Sequence, residues 1–416
     1  MKNKICFLIC CVTWILFIQG CQNKQVDISS EYMVDKSLYL SDGDGIYALI
    51  ENESVNHEII GIELNNGNAD KIKEQYENKA SMKENPQEYV AIQNILGITE
   101  IYLGDYERAY KYFNDAIAVL DEVELPDEHK ILSVLYNNAG TVTLNLSRFA
   151  TIDERLEKAA ELCADPYLGL VITANQSCRL REYAIEKEYG EMILQFNELI
   201  QEEKQLEDSP YFVTFFAARY MGVGYMLTGQ EERGIKVLDE YIPLIPEIAN
   251  YNMIKSALLG QRGHCYYRLG EYDKSIKDTR EAVLLAEKTV DNNSQRLAYE
   301  YLRLATGYVG KEEWSIALPY LEKALPGYRQ KNSSGKGLLY FNTGYVCWEL
   351  GKYEEAKVYF LKSYVEKKAV IEDVGNAVGE GYDSNVKARL HEIYQSEDSS
   401  ISFTDWLEQE LNQIEQ

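Results

Sequence analysis

The sequence contains few of the residues that interrupt a chain with tight turns, with 8 prolines and 27 glycines among 416 residues. This scarcity disfavours an all-β protein, which needs a turn after nearly every short strand. Basic residues are also outnumbered, because 42 Lys and Arg stand against 67 Asp and Glu and give a net charge of −25. Since an acidic surface repels phosphate, we expect no nucleic-acid partner.

Residues that carry catalysis or bind metals are sparse as well. The chain has four histidines, none at metal-ligand spacing from another, and lacks the H-E-x-x-H, G-x-S-x-G and glycine-rich phosphate-loop motifs. Cys163, Cys178, Cys265 and Cys347 include no C-x-x-C pair, which favours buried small residues over a disulfide or metal set. We therefore expect no enzymatic activity, no metal and no cofactor.

The N-terminus carries the one long apolar run, over residues 5–18, after Lys2 and Lys4. The run is too short for a comfortable transmembrane helix and is typical of a signal peptide. It ends in Ile18-Gln19-Gly20-Cys21, which resembles the lipobox of bacterial lipoproteins. The resemblance implies that residues 1–20 are removed and that Cys21 carries a lipid such as palmitate. An uncleaved signal anchor and an ordinary secretory peptide are the alternatives.

Under this interpretation the protein is extracytoplasmic and lipid-anchored to the bacterial cell membrane. Residues 21–31 are polar and without periodicity, so we expect a tether. Cleavage removes two lysines and takes the net charge to −27. An anionic membrane surface repels such a body, so the lipid must hold it there.

One sequence motif, called the repeat phrase below, recurs through the remaining sequence. Its clearest copy is Gly97-x₆-Gly104-Asp105-Tyr106-x₂-Ala109-x₃-Phe113-x₂-Ala116, and similar copies begin at Gly263 and Gly344. Weaker copies begin at positions 140, 180, 222 and 305, so that successive copies are 43, 40, 42, 41, 42 and 39 residues apart. Such a regular period indicates an array of stacked structural units.

The phrase resembles the tetratricopeptide repeat (TPR), and the long period resembles the subtype found in kinesin light chains and bacterial regulatory TPR proteins. The resemblance implies an all-α fold, an α-solenoid in which each of about seven repeats over residues 90–372 is an antiparallel helix pair. Gly104, Gly229, Gly270 and Gly351 should end first helices with positive φ. Because repeats contact their neighbours, we expect an elongated monomer.

The two ends of the array are less regular. We expect an N-terminal cap over residues 32–89, with a helix over Ala69–Ala80, and degenerate capping helices over residues 373–416. Asp42-Gly43-Asp44-Gly45 has the composition of a calcium loop, but Ile46 occupies a ligand position of the EF-hand spacing. This segment therefore predicts a plain turn.

A superhelix of this kind has a concave groove lined by the first helix of each pair. Asparagines just before the small residue resemble those with which many TPR proteins hold a peptide backbone, and Arg and aromatic residues are typical of binding surfaces. The candidate groove residues are Asn138, Arg181, Arg219, His264, Tyr267, Arg268, Tyr299, Asn342, Tyr345 and Trp348. The alternatives are that the aromatic residues pack against neighbouring helices and that the arginines balance nearby Glu side chains.

Two functions of different class fit these features of the sequence. The first is a membrane-anchored scaffold that binds a peptide or protein partner in the groove, with an acidic side chain or C-terminal carboxylate facing the arginines. The second is a solute- or glycan-capturing lipoprotein, similar to the starch-utilisation lipoproteins. Those proteins interrupt their repeats with long insertions, and the even spacing here leaves no room for them.

Overall fold

The computed structural model describes residues 38–53, 55–77, 79, 84–146, 149–178, 186–207, 209–328, 334–374, 380–397 and 400–414. These residues form one two-stranded hairpin and eighteen α-helices. The strands are β1 (Tyr39–Ser41) and β2 (Ile46–Ala48). The helices are α1 (His57–Asn65), α2 (Ala69–Tyr76), α3 (Pro86–Leu103), α4 (Tyr106–Leu120), α5 (Glu128–Asn145), α6 (Phe149–Leu162), α7 (Pro166–Cys178), α8 (Glu186–Glu203), α9 (Phe212–Leu227), α10 (Glu231–Tyr241), α11 (Asn252–Arg268), α12 (Tyr272–Glu287), α13 (Gln295–Gly310), α14 (Trp314–Ala324), α15 (Ser334–Glu349), α16 (Tyr353–Val374), α17 (Glu380–Ser396) and α18 (Phe403–Ile414).

From α3 onward each helix packs against the next, so that α3/α4, α5/α6 and the following pairs stack in chain order. The predicted all-α fold and α-solenoid architecture are confirmed. No single pair buries its own apolar faces, and the core instead runs through the whole stack. Among the described helices, none is both long and apolar enough to cross a bilayer.

The turn inside each pair follows the glycine prediction. Gly104, Gly229, Gly270 and Gly351 all have φ between +68° and +80°. A side chain at such a φ is strained, whereas glycine adopts it freely and lets the chain reverse after the first helix. At the first of these turns Asp105 caps α4, because its side chain accepts a hydrogen bond from the backbone N–H of Arg108.

The small residue that begins each repeat phrase lies where two helices touch. A Cβ atom at Gly97 would stand 2.4 Å from the Phe113 ring, and one at Gly263 would stand 2.6 Å from Cγ2 of Thr279. Real Cβ contacts are not that short, so both positions require glycine. The ring of Phe113 is fully buried in the space that Gly97 leaves.

The 33 tyrosines are accounted for largely by packing between helices. Tyr102, Tyr220 and Tyr251 are almost fully buried, and the rings of Tyr308 and Tyr320 stack with centroids 5.9 Å apart. Aromatic pairs of this kind fill wide gaps between helices and prefer offset or edge-on geometry. We expected four cysteines to pack as buried small residues, and three of them do, since Cys178, Cys265 and Cys347 are buried.

The array does not have the neighbour-only contacts that we expected of an elongated solenoid. The backbone N–H of Asp291 donates to the carbonyl of Tyr102, 3.1 Å away, across a distance of four repeats. A Cβ at Gly67 would stand 2.8 Å from the carbonyl oxygen of Lys288, and α1 packs against the short turn at residues 249–251. The N-terminal elements therefore meet the middle of the array, and the superhelix closes on itself.

The hairpin lies inside this closed superhelix. Strands β1 and β2 are antiparallel, with Leu40 opposite Tyr47, and they pack against α5 and α7. The side chains of Leu40, Ile46 and Tyr47 are fully buried. Residues 39–50 thus run along the first helices of the array, whereas we expected this stretch to form part of a cap at its end.

Substitution of Gly263 by Leu tests the packing of the array. Overpacking of a close helix contact of this kind should lower the free energy of unfolding by about 3 kcal/mol. Urea denaturation followed by circular dichroism measures the change. Gly169→Ala is the control, because no atom of another element lies within 4 Å of a Cβ at this helical glycine. That variant should be more stable by about 0.5 kcal/mol, and an equally mild effect of Gly263→Leu would contradict the close contact.

Candidate functional site

Asparagine side chains on the first helices bind the main chain of β2 and the residues after it. The backbone N–H of Ala48 donates to Oδ1 of Asn138 at 2.9 Å, and Nδ2 of Asn138 donates back to the carbonyl of Ala48 at 2.7 Å. Asn94 repeats the arrangement one helix pair earlier, accepting from the N–H of Ile50 at 3.1 Å and donating to the carbonyl of Ala48 at 3.2 Å. Each amide thereby satisfies both a donor and an acceptor of the extended segment.

The same pairing continues at the other end of the strand. The N–H of Ile46 donates to Oδ1 of Asn175 at 3.0 Å, and Nδ2 of Asn175 donates to the carbonyl of Ile46 at 2.8 Å. Asn137 also donates to that carbonyl and accepts from Asn175. We call Asn94, Asn137, Asn138 and Asn175 the asparagine clamp. All four side chains are fully buried, so their hydrogen bonds do not compete with water.

Two members of the clamp occupy the same position of the repeat. Asn94 and Asn137 each lie three residues before the small glycine of their repeat, and Arg219 has the same offset in its repeat. In these three repeats the side chain at this offset reaches the hairpin inside the superhelix. Gly260 has the offset too, and a Cβ there would stand only 2.0 Å from Oε2 of Glu300. Glycine at this position leaves room for a buried carboxylate.

The segment predicted as a plain turn joins the two strands, and its own polar groups close it. Oδ1 of Asp42 accepts from the backbone N–H groups of Asp44 and Gly45, at 3.0 and 2.9 Å. Gly43 has a φ of +90°, which favours glycine. Burial and, after it, the negative charge of Asp44 raise the pKa of the Asp42 carboxyl to about 6, although the two backbone donors oppose the rise.

Arg219 binds this turn from α9. Its Nη2 donates to Oδ1 of Asp44 at 2.6 Å, and its Nη1 donates to the carbonyl of Gly43. The hydroxyl of Tyr220 donates to the carbonyl of Asp44 at 3.2 Å. Since Arg219 is nearly fully buried, its charge needs the Asp44 carboxylate as a partner.

A second guanidinium lies close to the same carboxylate. Nη1 of Arg296 is 3.8 Å from Oδ1 of Asp44, beyond hydrogen-bond distance, while its Nη2 donates to Glu300. Arg303 donates to the same Glu300 oxygen at 3.1 Å. Arg296 and Glu300 are fully buried, which makes Arg219, Arg296, Arg303, Asp44 and Glu300 a charge cluster inside the superhelix.

Two of the sequence candidates therefore contact the bound segment directly, namely Asn138 and Arg219. Arg181 and Cys21 lie outside the described residues. Arg268 is partly exposed, and its Nε donates to the carboxylate of Glu231 at 2.7 Å. This pair agrees with the alternative that the arginines of the array balance nearby Glu side chains.

Three candidates lie beyond the clamp on α11 and α13. The rings of His264 and Tyr267 are 6.3 Å apart, and Tyr299 packs beside Tyr328. Burial, together with the positive charges of Arg303 and Arg268, lowers the pKa of His264 to about 3. His264 is therefore neutral at ordinary pH.

The last three candidates lie on α15. Asn342 is partly buried, and the ring of Tyr345 meets Trp314 edge-on with centroids 5.7 Å apart. The guanidinium of Arg389 lies within 5.9 Å of the ring centroids of both Tyr345 and Trp348. Tyr345 and Trp348 thus pack against side chains of α14 and α17 and are not part of the clamp.

Sequence reasoning did not select Asn94, Asn175, Arg296, Glu300 or Asp44 as site residues. Asn94 could have been found, because it shares its offset from the repeat glycine with Asn137 and Arg219. Asp44 carried no such signal, since the repeat period does not extend to the hairpin.

Comparisons with known proteins agree with this architecture. A profile of the tetratricopeptide repeat family matches residues 256–289 and 338–364. No curated protein matches the chain. The structure of a Rap protein complexed with Competence and Sporulation Factor has a TM-score of 0.50 at 12% identity, and the match covers 79% of this chain and 98% of that chain. This likeness shows a shared fold.

Other solved structures are similar over shorter stretches. BtubC from P. vanneervenii is 13% identical with a TM-score of 0.41, over 59% of this chain and 92% of that chain. A tetratricopeptide repeat protein from Parabacteroides merdae is 15% identical with a TM-score of 0.38, over 69% of this chain and 98% of that chain.

Alanine at Asn138 or Asn175 tests the clamp. Each substitution leaves a buried N–H and a buried carbonyl of the segment with fewer partners, so the free energy of unfolding should fall by about 1–3 kcal/mol. Urea denaturation measures it. The matched control is Asn292→Ala, an exposed asparagine in the loop before α13, which should change stability by less than about 0.5 kcal/mol. Clamp variants that are as stable as this control would contradict the assignment.

Proposed function

We propose that the protein is an interaction scaffold that binds an extended, acidic segment of a protein partner along the inner face of its helix array. The observation that supports this most is the asparagine clamp, which binds the N–H and carbonyl groups of an extended backbone at every second residue. Such contacts bind an extended main chain with little dependence on its side chains.

The charge of the inner face supports an acidic ligand. Arg219, Arg296 and Arg303 outnumber Glu300 there, although the chain as a whole carries a net charge of −25. A carboxylate can pair with guanidinium groups through charge-assisted hydrogen bonds, which are stronger than neutral ones. A fold neighbour, the Rap protein, is known as a complex with Competence and Sporulation Factor, which supports a binding role for an array of this fold.

The glycan-capturing alternative has less support. The polar groups of the inner face are paired amides and guanidinium groups that fit a peptide backbone and a carboxylate. The described connections between helices of the array range from two residues, between α3 and α4, to ten, between α10 and α11. We therefore favour the peptide-binding function.

A peptide array and a glycan array, probed with the same labelled chain, separate the two functions. We expect binding to peptides that combine an extended apolar stretch with Asp or Glu, and weaker binding as salt rises. Photo-crosslinking peptides should attach to first helices such as α5 and α9, and not to second helices such as α6 and α10. Binding to glycans alone, or attachment only to second helices, would contradict the proposal.

We further propose that Cys21 is acylated and holds the scaffold at the outer face of the bacterial cell membrane. The support is the apolar run ending in Ile18-Gln19-Gly20-Cys21. Anchoring would concentrate the scaffold beside membrane-bound partners and confine its search to a surface.

Replacement of Cys21 by Ser tests the anchor. In bacteria fed labelled palmitate, the Cys21→Ser chain should carry no label and should leave the membrane fraction, because the thiol that accepts the lipid is gone. Cys163→Ser is the control, since Cys163 lies within the helix array, and it should be labelled like the unmodified chain. Equal labelling of the Cys21→Ser chain would show that the lipid is attached elsewhere.

A further inference from the structure

The segment bound in the clamp is part of the chain itself, and its main chain provides most of its polar contacts. Ile46, Ala48 and Ile50 each donate a backbone N–H to a clamp asparagine. These bonds require only an extended backbone and do not identify this segment by its side chains. Any extended segment that reaches the inner face could make them.

Residues 39–50 pair less completely with the side chains of the charge cluster than with the asparagines of the clamp. Asp44 lies at 2.6 Å from Arg219 but only within 3.8 Å of Arg296. Within the described part of the chain, Nε and Nη1 of Arg296 and Oε2 of Glu300 have no hydrogen-bond partner, although both side chains are fully buried. Buried polar groups are normally paired, so the aspartate leaves the site incomplete.

A glutamate at the same position would extend the carboxylate by one methylene. The longer side chain could place one oxygen on Arg219 and the other near Nη1 of Arg296, which lacks an acceptor. Planar guanidinium groups favour such two-oxygen contacts with a carboxylate.

We infer that residues 39–50 are a tethered stand-in for the partner's segment, and that this segment carries glutamate where the chain carries Asp44. This inference rests on the proposed function. Because the stand-in is joined to α1 by a few residues, its effective concentration at the clamp is of the order of millimolar. A partner segment must displace residues 39–50 from the clamp. Only a ligand with a higher affinity for the clamp can do so at this effective concentration.

The test uses the full chain and labelled peptides with the sequence of residues 39–50. Three peptides carry Asp, Glu or Asn at the position of Asp44, and fluorescence anisotropy measures their binding. The full chain with Asp44→Asn has a weakened stand-in, so it should bind the Asp peptide about tenfold more tightly than the unmodified chain does. The Glu peptide should bind about tenfold more tightly than the Asp peptide, and the Asn peptide should bind most weakly. Asp70→Asn, an exposed substitution on α2, is the matched control and should bind like the unmodified chain.

A second variant covers the case in which Asp44→Asn does not fold. The full chain with Asp44→Glu should melt at a higher temperature than the unmodified chain and should bind the Asp peptide more weakly, because its own segment fits better. A lower melting temperature for Asp44→Glu would overturn the assignment of glutamate.

The remaining outcomes separate this inference from the proposed function. If a folded Asp44→Asn chain binds none of the peptides at about 1 mM, the effective concentration expected for the tether, residues 39–50 are a fixed part of the core and the inference is wrong. If the peptides bind equally to the unmodified and Asp44→Asn chains, they bind outside the clamp. The stand-in inference would then be wrong, and photo-crosslinking to first or to second helices would decide separately whether the scaffold function stands.

Discussion

An extended strand cannot be buried unless its outer edge finds hydrogen-bond partners, and asparagine amides meet that requirement here. Strand β2 pairs with β1 on one side only, which leaves the N–H and carbonyl groups of Ile46 and Ala48 facing the helices. Asn138 and Asn175 act there as a neighbouring strand would, each with one donor and one acceptor. Without them the hairpin would carry unpaired polar groups into a dry interior, at a cost of about 1–3 kcal/mol for each group.

The hairpin and the curvature of the array depend on each other. The superhelix brings the turn of the hairpin to α11 and α13, where a Cβ at Gly43 would stand 3.1 Å from both Ala257 and Arg296. It also brings Asp291 close to Tyr102, and the backbone N–H of Asp291 donates to the carbonyl of Tyr102. A solenoid held only by contacts between neighbouring repeats is free to change its pitch. Contacts across the interior fix that pitch and hold the inner face in one geometry, as a binding surface requires.

The sequence predicted the array well and its interior poorly, for a physical reason. Helix pairs are local structures, so the residues that each pair requires recur in the sequence at the repeat period. Examples are Gly104 with its positive φ and the small residue Gly97 beside Phe113. The hairpin and the residues after it contact helix residues 44 to 176 positions away in the sequence, and a single hairpin with three-residue strands leaves no period to detect. The resemblance to peptide-binding TPR proteins indicated Asn138 as a backbone-binding residue but could not show that the backbone belongs to the same chain.

Hydrogen–deuterium exchange of the backbone amides tests the central claim most directly, because it reports the bonds of the clamp one by one. If asparagine side chains bind residues 39–50 inside the superhelix, the amides of Ile46, Ala48 and Ile50 exchange as slowly as those in the middle of α5, and a mutation of Asn138 accelerates Ala48 first. Exchange of these three amides as fast as that of an exposed loop would contradict the account, because the segment would then lie in solvent and the inner face of the array would be open.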